Sequence, residues 1–330
     1  MIIAIGLGAG LVSALLFAVV ITGSPLGMAL SYVAPLPILI AALGWNHRSG
    51  LLAAAIGGAA LGLLLRPTTG LAFAVGSGLP AWWIGYLALL GRAADPVAPS
   101  DAPRPNVAPT IEWYPIGRLL LWIALTAAAV ILIGSVALGR GDPAAYRSLL
   151  TRAMETFLRS GEELGAANPI PRTGMEGGRF VRVLIALVPA IAASVFCLFF
   201  MLNTWLAAKA VAISGRLPRP WPYLPATRMP PSAVVLLFAG MAAAFAPDFV
   251  GIAGAALAGA LAMAFALQGL ALLHHLTQGK PGRTGLLIGT YLLTIFFGGT
   301  ILPLMAVAGL VDSATPLRRT LTLRSGRLPD

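Results

Sequence analysis

Few side chains in this 330-residue chain could do chemistry, and most of those are uncharged. Asn203 stands in Phe199-Phe200-Met201-Leu202-Asn203-Thr204-Trp205, and Gln268 in Leu267-Gln268-Gly269-Leu270. Each interrupts a long apolar run. An amide in that setting has two uses: it hydrogen-bonds a neighbouring helix as structural glue, or it lines a solute path. His274 and His275 follow at the end of the second run. Adjacent residues on a helix project about 100° apart, so the pair makes no bidentate metal site. They read as interfacial anchors or as a functional contact. Trp221 and Tyr223, in Arg219-Pro220-Trp221-Pro222-Tyr223-Leu224-Pro225, read as aromatic interface anchors on a stiff loop and as a candidate partner contact.

A carboxylate at mid-membrane would mark a proton or ion path. Asp248 and Asp312 fall at the ends of apolar runs and read as interfacial. That argues against a proton-coupled antiporter and against an intramembrane aspartyl protease. There is no G-x-x-x-x-G-K-[ST] and hence no ATPase site. G-x-S-x-G, H-E-x-x-H and C-x-x-C are also missing. The single cysteine, Cys197, excludes an intrachain disulfide. The expectation is a non-enzyme with no catalytic residues, cofactor or metal.

The elements that must position these residues are apolar. Hydrophobic residues make up 58% of the chain and charged residues 10%. Mean hydropathy is +0.88. A spanning helix needs about 20 apolar residues, and nine such segments can be drawn. They cover 2–22, 27–43, 51–65, 71–90, 116–138, 181–213, 232–246, 249–273 and 286–311. None alternates apolar with polar, which rejects a β-barrel. Backbone satisfaction in lipid then leaves helices. The expected fold is all-α, a polytopic transmembrane bundle of about 8–10 spans. The first segment lacks a basic leader region and a cleavage site, so it reads as a retained span.

The net charge of +11 does not imply nucleic acid, because the arginines sit at the ends of apolar runs and set topology. With the N-terminus inside, the cytoplasmic loops hold Arg48; Arg92, Arg104 and Arg118; Lys209, Arg216, Arg219 and Arg228; Lys280 and Arg283. The opposite short loops hold only Arg66. The location expected is the bacterial cytoplasmic (inner) membrane, with an N-in chain. Nine spans would put the tail outside, yet it carries Arg318, Arg319, Arg324 and Arg327. The last segment is interrupted at Gly298-Gly299, with Pro303 beyond. It is either one tilted helix or a broken pair that returns the tail to the cytoplasm, and charge favours the return.

Residues 1–94 form an N-terminal four-span region, and 116–312 a C-terminal membrane region. Between them, 95–115 reads as a cytoplasmic, polyproline-like linker containing Pro96, Pro99, Pro103, Pro105, Pro109 and Pro115. Residues 313–330 are a basic tail. An extramembrane amphipathic helix is expected over about 143–164. Asp142 is its N-cap and Pro143 its first residue. Tyr146, Leu150, Ala153, Phe157 and Leu158 share a face, Glu155 and Arg159 form an i,i+4 pair, and Gly165 is the stop. This helix lies on the outer surface or caps the bundle. Small residues at four-residue spacing mark close helix approach at Gly6/Gly10, Ala14/Ala18, Gly58/Gly62 and Gly251/Ala255/Gly259. Pro35, Pro37, Pro80, Pro189 and Pro303 mark kinks that can expose carbonyls to a cavity.

Four stretches converge on a resemblance. They are Phe-Met-Leu-Asn-Thr-Trp-Leu-Ala at 200–207, Ser-Gly-Arg-Leu-Pro-Arg-Pro-Trp-Pro at 214–222, Leu-Gln-Gly-Leu-Ala-Leu-Leu-His at 267–274, and Gly-Leu-Val-Asp at 309–312 ahead of Leu-Arg-Arg at 317–319. With the span layout, the chain resembles the YybS-like family of bacterial membrane proteins in its alphaproteobacterial form. Its N-terminal spans are similar to the S-components of energy-coupling-factor vitamin transporters. That similarity implies a helical bundle that captures a small molecule and docks on a separate coupling protein with two ATPases. It implies a docking role for Ala14 and Ala18, which match the family's Ala-x-x-x-Ala on the first span. The chain departs from the pattern in having more than six spans and an outer helix. Two functions follow: a solute-binding or transport-type protein, with Asn203 and Gln268 lining the path, or a non-transporting scaffold that binds membrane proteins and anionic lipid.

Overall fold

The computed structural model describes residues 1–93, 111–163 and 175–315. Helix dominates, and the chain is an all-α polytopic bundle. Seven helical segments are long and apolar enough to cross a membrane: Ile2–Thr22, Pro25–Gly44, His47–Leu64, Pro67–Ala88, Ile116–Leu138, Val181–Ile213 and Asp248–Leu276. Three shorter apolar helices add to them. The chain divides into two compact units, Met1–Trp122 with Phe199–Leu224, and Ile123–Leu198 with Pro225–Asp330. The division falls inside the helices Ile116–Leu138 and Met175–Ile213 and at the short turn Leu224–Ala226.

In the first unit, α1 (Ile2–Ala18) is followed by a broken span, α2 (Pro25–Ser31) and α3 (Pro35–Gly44). Ser24 caps α2 by accepting from the Gly27 amide. The break is chemical: Pro35 and Pro37 lack N–H groups, so tight turn bonds replace helical ones from Ala34 to Ser31 and from Leu36 to Val33. Next come α4 (His47–Leu64), α5 (Pro67–Phe73) and α6 (Leu79–Ala88), the last two joined by a wide π turn at Ala74–Gly78. α1 crosses α4 backbone to backbone. A β-carbon at Gly10 would lie 2.5 Å from the Ala53 carbonyl oxygen, so the crossing requires glycine there.

After α6 the strand β1 (Gly91–Ala93) pairs antiparallel with β2 (Ile111–Trp113), Gly91 opposite Trp113. Arg92 and Glu112 meet across it at 2.7 Å. Residues 111–113 are thus strand, where the sequence suggested polyproline-like linker; residues 95–110 of that linker lie outside the described residues.

The long helix α7 (Ile116–Leu138) ends in a Schellman turn, with Gly141 N–H bonding the Val136 carbonyl and Arg140 N–H the Ala137 carbonyl. Arg140 and Gly141 both take positive φ there, 52° and 81°. The turn delivers α8 (Pro143–Glu163), whose first turn is capped by Asp142 Oδ1 accepting from the Ala144 amide at 2.8 Å. Only part of the expected apolar face is packed: Tyr146 is buried, whereas Ala153 and Phe157 are exposed. The side chains of Leu158 and Arg159, and Gly165 altogether, lie outside the described residues.

α9 (Met175–Ile213) passes through Pro189 without a break. α10 (Ser232–Ala243) and α11 (Asp248–Leu276) form a close antiparallel pair. The final apolar segment is two helices, α12 (Arg283–Phe296) and α13 (Gly298–Ala314), broken at Phe297. Of the two sequence alternatives, this is the broken pair. Arg228 Nη2 donates to the carbonyls of Asp312 and Thr315, at 2.5 and 2.7 Å. The end of α13 therefore lies at the end of its unit from which α10 starts.

Candidate functional site

The residues nominated from sequence fall in separate places. In the first unit, Asn203 on α9 is 2% exposed. Its Nδ2 donates to the Tyr32 carbonyl at 2.8 Å and to the Phe199 carbonyl at 2.7 Å. Tyr32 lies in the α2–α3 break, where the expected donor, the Leu36 amide, bonds to Val33 instead. Asn203 thus replaces a backbone bond that the proline-containing break removed. Ser13, fully buried, does similar work on the neighbouring Ala34 carbonyl. The two carbonyl acceptors fix the amide orientation, and Oδ1 is left buried without a hydrogen bond. Tyr32 and Phe199 also stack, centroids 4.4 Å apart.

Gln268, in the second unit, is fully buried and has a partner at both amide atoms. Its Oε1 accepts from the Met229 amide at 2.9 Å. Its Nε2 donates to the Gly309 carbonyl at 3.1 Å and to Asp312 Oδ2 at 2.8 Å, with Ser313 Oγ at 3.0 Å. Asp312, near the end of α13, is fully buried within the unit. The Gln268 donor offsets part of its desolvation. The cluster forms because α11 and α13 touch at glycines: a β-carbon on Gly309 would lie 3.0 Å from the Gly269 nitrogen. Gln268 stands beside that crossing and reaches α13 and the 225–231 segment together.

Trp221 and Tyr223 are 41% and 54% exposed. Lys209 Nζ sits 4.9 Å above the Trp221 ring, a cation–π contact. The neighbouring Arg219 anchors their loop, donating to the carbonyls of Ala88 at 2.9 Å and Tyr114 at 3.4 Å, with Trp113 5.8 Å away. Burial lowers its pKa from the ordinary arginine value. Trp221, Trp205 and Arg219 border an apolar cavity of only about 50 Å³. His274 Nε2 lies 2.8 Å from the Tyr291 hydroxyl and ties α11 to α12. His275 is half-buried beside it. Ala14 is buried on the α1 face that carries Gly6 and Gly10, while Ala18 is half-buried. The large apolar side chains that α1 exposes are Ile2, Ile3, Leu7, Leu11, Val12 and Leu15.

A different place combines space with charge. Beneath α8 the second unit holds a cavity of about 300 Å³. Its floor is apolar, formed by Ile185, Ala186 and Pro189 of α9 and Ile252 and Ala255 of α11. Pro189 has no N–H, so the Ile185 carbonyl lacks its helical donor. The rim carries Tyr146 and Arg147 of α8, Arg182 of α9 and Asp248 at the start of α11. Arg147 Nη2 and Asp248 Oδ1 stand 3.8 Å apart, both side chains more than half exposed. Asp248 adopts φ 59°, in the left-handed region an L-residue seldom takes, at the first position of α11. Sequence reading put Tyr146 on the packed face and Asp248 at an interface. It had no signal that α8 folds back over the α10–α11 turn.

Broken spans, glycine crossings and buried amides serving backbone carbonyls define a polytopic helical membrane protein. The chain belongs to the family described as "Predicted membrane protein (DUF2232)", whose model matches residues 11–313. No curated protein and no solved structure matches it.

Proposed function

We propose that this protein is a non-enzymatic, solute-binding membrane protein of transport type, with its site beneath α8. The supporting observation is the cavity of about 300 Å³, which joins an apolar floor to Tyr146, Arg147, Arg182 and Asp248. Ligand sites run from about 300 Å³ upward and combine apolar walls with a few polar groups. In the N-in topology favoured by the arginine distribution, α8 and the α10–α11 turn share the outer face of a bacterial inner membrane. The cavity then opens away from the cytoplasm. With no nucleotide motif in the sequence, movement of the solute would draw on a separate coupling protein with ATPases. That is the arrangement of the S-components, which the N-terminal spans resemble alongside the YybS-like family. Ala14 is packed inside the unit, so such a partner would meet α1 through its exposed face, Leu7, Leu11 and Leu15.

The test is thermal unfolding of the purified protein in detergent against a broad panel of vitamins and metabolites. A ligand that binds only the folded state raises its stability. A concentration-dependent rise in melting temperature with at least one solute is expected; a flat response across the panel would sink the reading. A scaffold role is the second reading, favoured by the outer turns of α8, where Phe157 is 73% exposed. Crosslinking in native membranes separates the two: an ATPase among the partners supports transport, and a stable complex without one supports the scaffold.

A further inference from the structure

We infer that the cavity beneath α8 selects a small organic monoanion with an apolar body, gripped by Arg147 and Arg182. The inference rests on the solute-binding reading and gives it a ligand class. The rim holds two arginines and one aspartate, a net charge that one anionic group would neutralise. Arg182 enters no ion pair among the described residues. Arg147 is held only loosely: its 3.8 Å separation from Asp248 is long for a charge-assisted hydrogen bond, and water reaches both groups. A carboxylate arriving at the rim can take the bidentate geometry that Asp248 does not provide.

The Asp248 carboxylate stands in the first turn of α11, 3.8 Å from Arg147 Nη2. It faces Arg147 across the opening without fixing that guanidinium. Tyr146 is 5% exposed yet lines the cavity, and its hydroxyl makes no hydrogen bond among the described residues. That hydroxyl, reached from the cavity, can donate to an acceptor oxygen on the ligand. Below the charged rim, Leu150, Ile185, Pro189 and Ile252 are apolar, and Thr151, whose hydroxyl donates to the Arg147 carbonyl, carries no charge to hold a second ionic group. The matching ligand carries its charge at one end and hydrocarbon at the other. Two sources supply that chemistry: a free carboxylic acid, and the phosphate of an anionic lipid.

The experiment uses the full chain in phosphatidylcholine nanodiscs. Benzoate, cinnamate and octanoate are compared with their neutral amides by melting temperature and by calorimetric titration. At least one carboxylate should bind while its amide does not. Arg182→Gln, an exposed position, should weaken that binding about tenfold or more while the ligand-free melting temperature stays unchanged. Arg147→Gln provides an independent second variant. If phosphatidylglycerol nanodiscs alone raise the melting temperature, and Arg182→Gln abolishes the rise, the site takes the lipid source of the same anion chemistry. Amides binding as well as acids, or binding indifferent to both arginine variants, would overturn the charge selection and leave solute binding standing. Silence from all the acids and from phosphatidylglycerol, with hits only among neutral metabolites, overturns this inference alone. Silence from every compound overturns both.

Discussion

In the Gln268 cluster both amide atoms have partners, from Met229, Gly309, Asp312 and Ser313, and the side chain is fully buried. Beneath α8, five polar side chains of the same unit, Tyr146, Arg147, Thr151, Arg182 and Asp248, surround open space with one long ion pair among them. The first arrangement has no capacity left for a ligand, and removing a member strands the others. The second has spare donors and little to lose. Saturation marks a polar group that holds the fold, and an unsaturated one beside a cavity marks a group kept for something else. Asn203 stands between them: its donor is committed to Tyr32 and Phe199, but its Oδ1 has no partner.

The contrast can be broken by substitution. Gln268→Leu should cost most, about 2–4 kcal/mol, because it strands the Met229 amide and removes a donor from Asp312. Equilibrium unfolding in mixed micelles measures it, and a loss below about 1 kcal/mol would mean the cluster is not structural. Gly309→Ala should follow at about 2 kcal/mol, since the new methyl meets the α11 backbone with no flexible side chain to move aside. Asn203→Leu should cost about 1–2 kcal/mol: the Tyr32 carbonyl loses its donor, but an unpartnered oxygen disappears with the amide. The smallest effect belongs to the rim. A double-mutant cycle of Arg147→Ala and Asp248→Ala should give a coupling below about 1 kcal/mol, shrinking further in high salt. A larger, salt-resistant coupling would class the rim with the Gln268 cluster and erase the comparison.

Much of this architecture was legible in the sequence because its causes are local. Asp142 and Pro143 announced the start of α8, the glycines at 298–299 marked where the last segment could break, and Pro35 with Pro37 marked a kink in the second span, whereas Pro189, marked the same way, lies inside a continuous helix. Interior amides were also legible, since a lone Asn or Gln in an apolar run must find a partner. Which partner it finds is a long-range matter. Asp312 looks interfacial in sequence because it ends an apolar run; its burial follows from how α13 lies on α11, which no neighbouring residue encodes. Arg147 and Asp248 meet only because the turn at Arg140–Gly141 folds α8 back over the start of α11. The rim was invisible for the same reason.

The bond from Asn203 to Tyr32 also imposes an order on synthesis. Its partners are 171 residues apart. At about 5–20 residues per second, the second span waits on the order of 10–30 s after its own insertion before its stranded carbonyl can meet that donor. During that interval the break must draw on water or on the insertion machinery. Mutations that lengthen the wait, or that make the 32–34 turn more apolar, should lower the yield of inserted protein before they alter the stability of what is finally made.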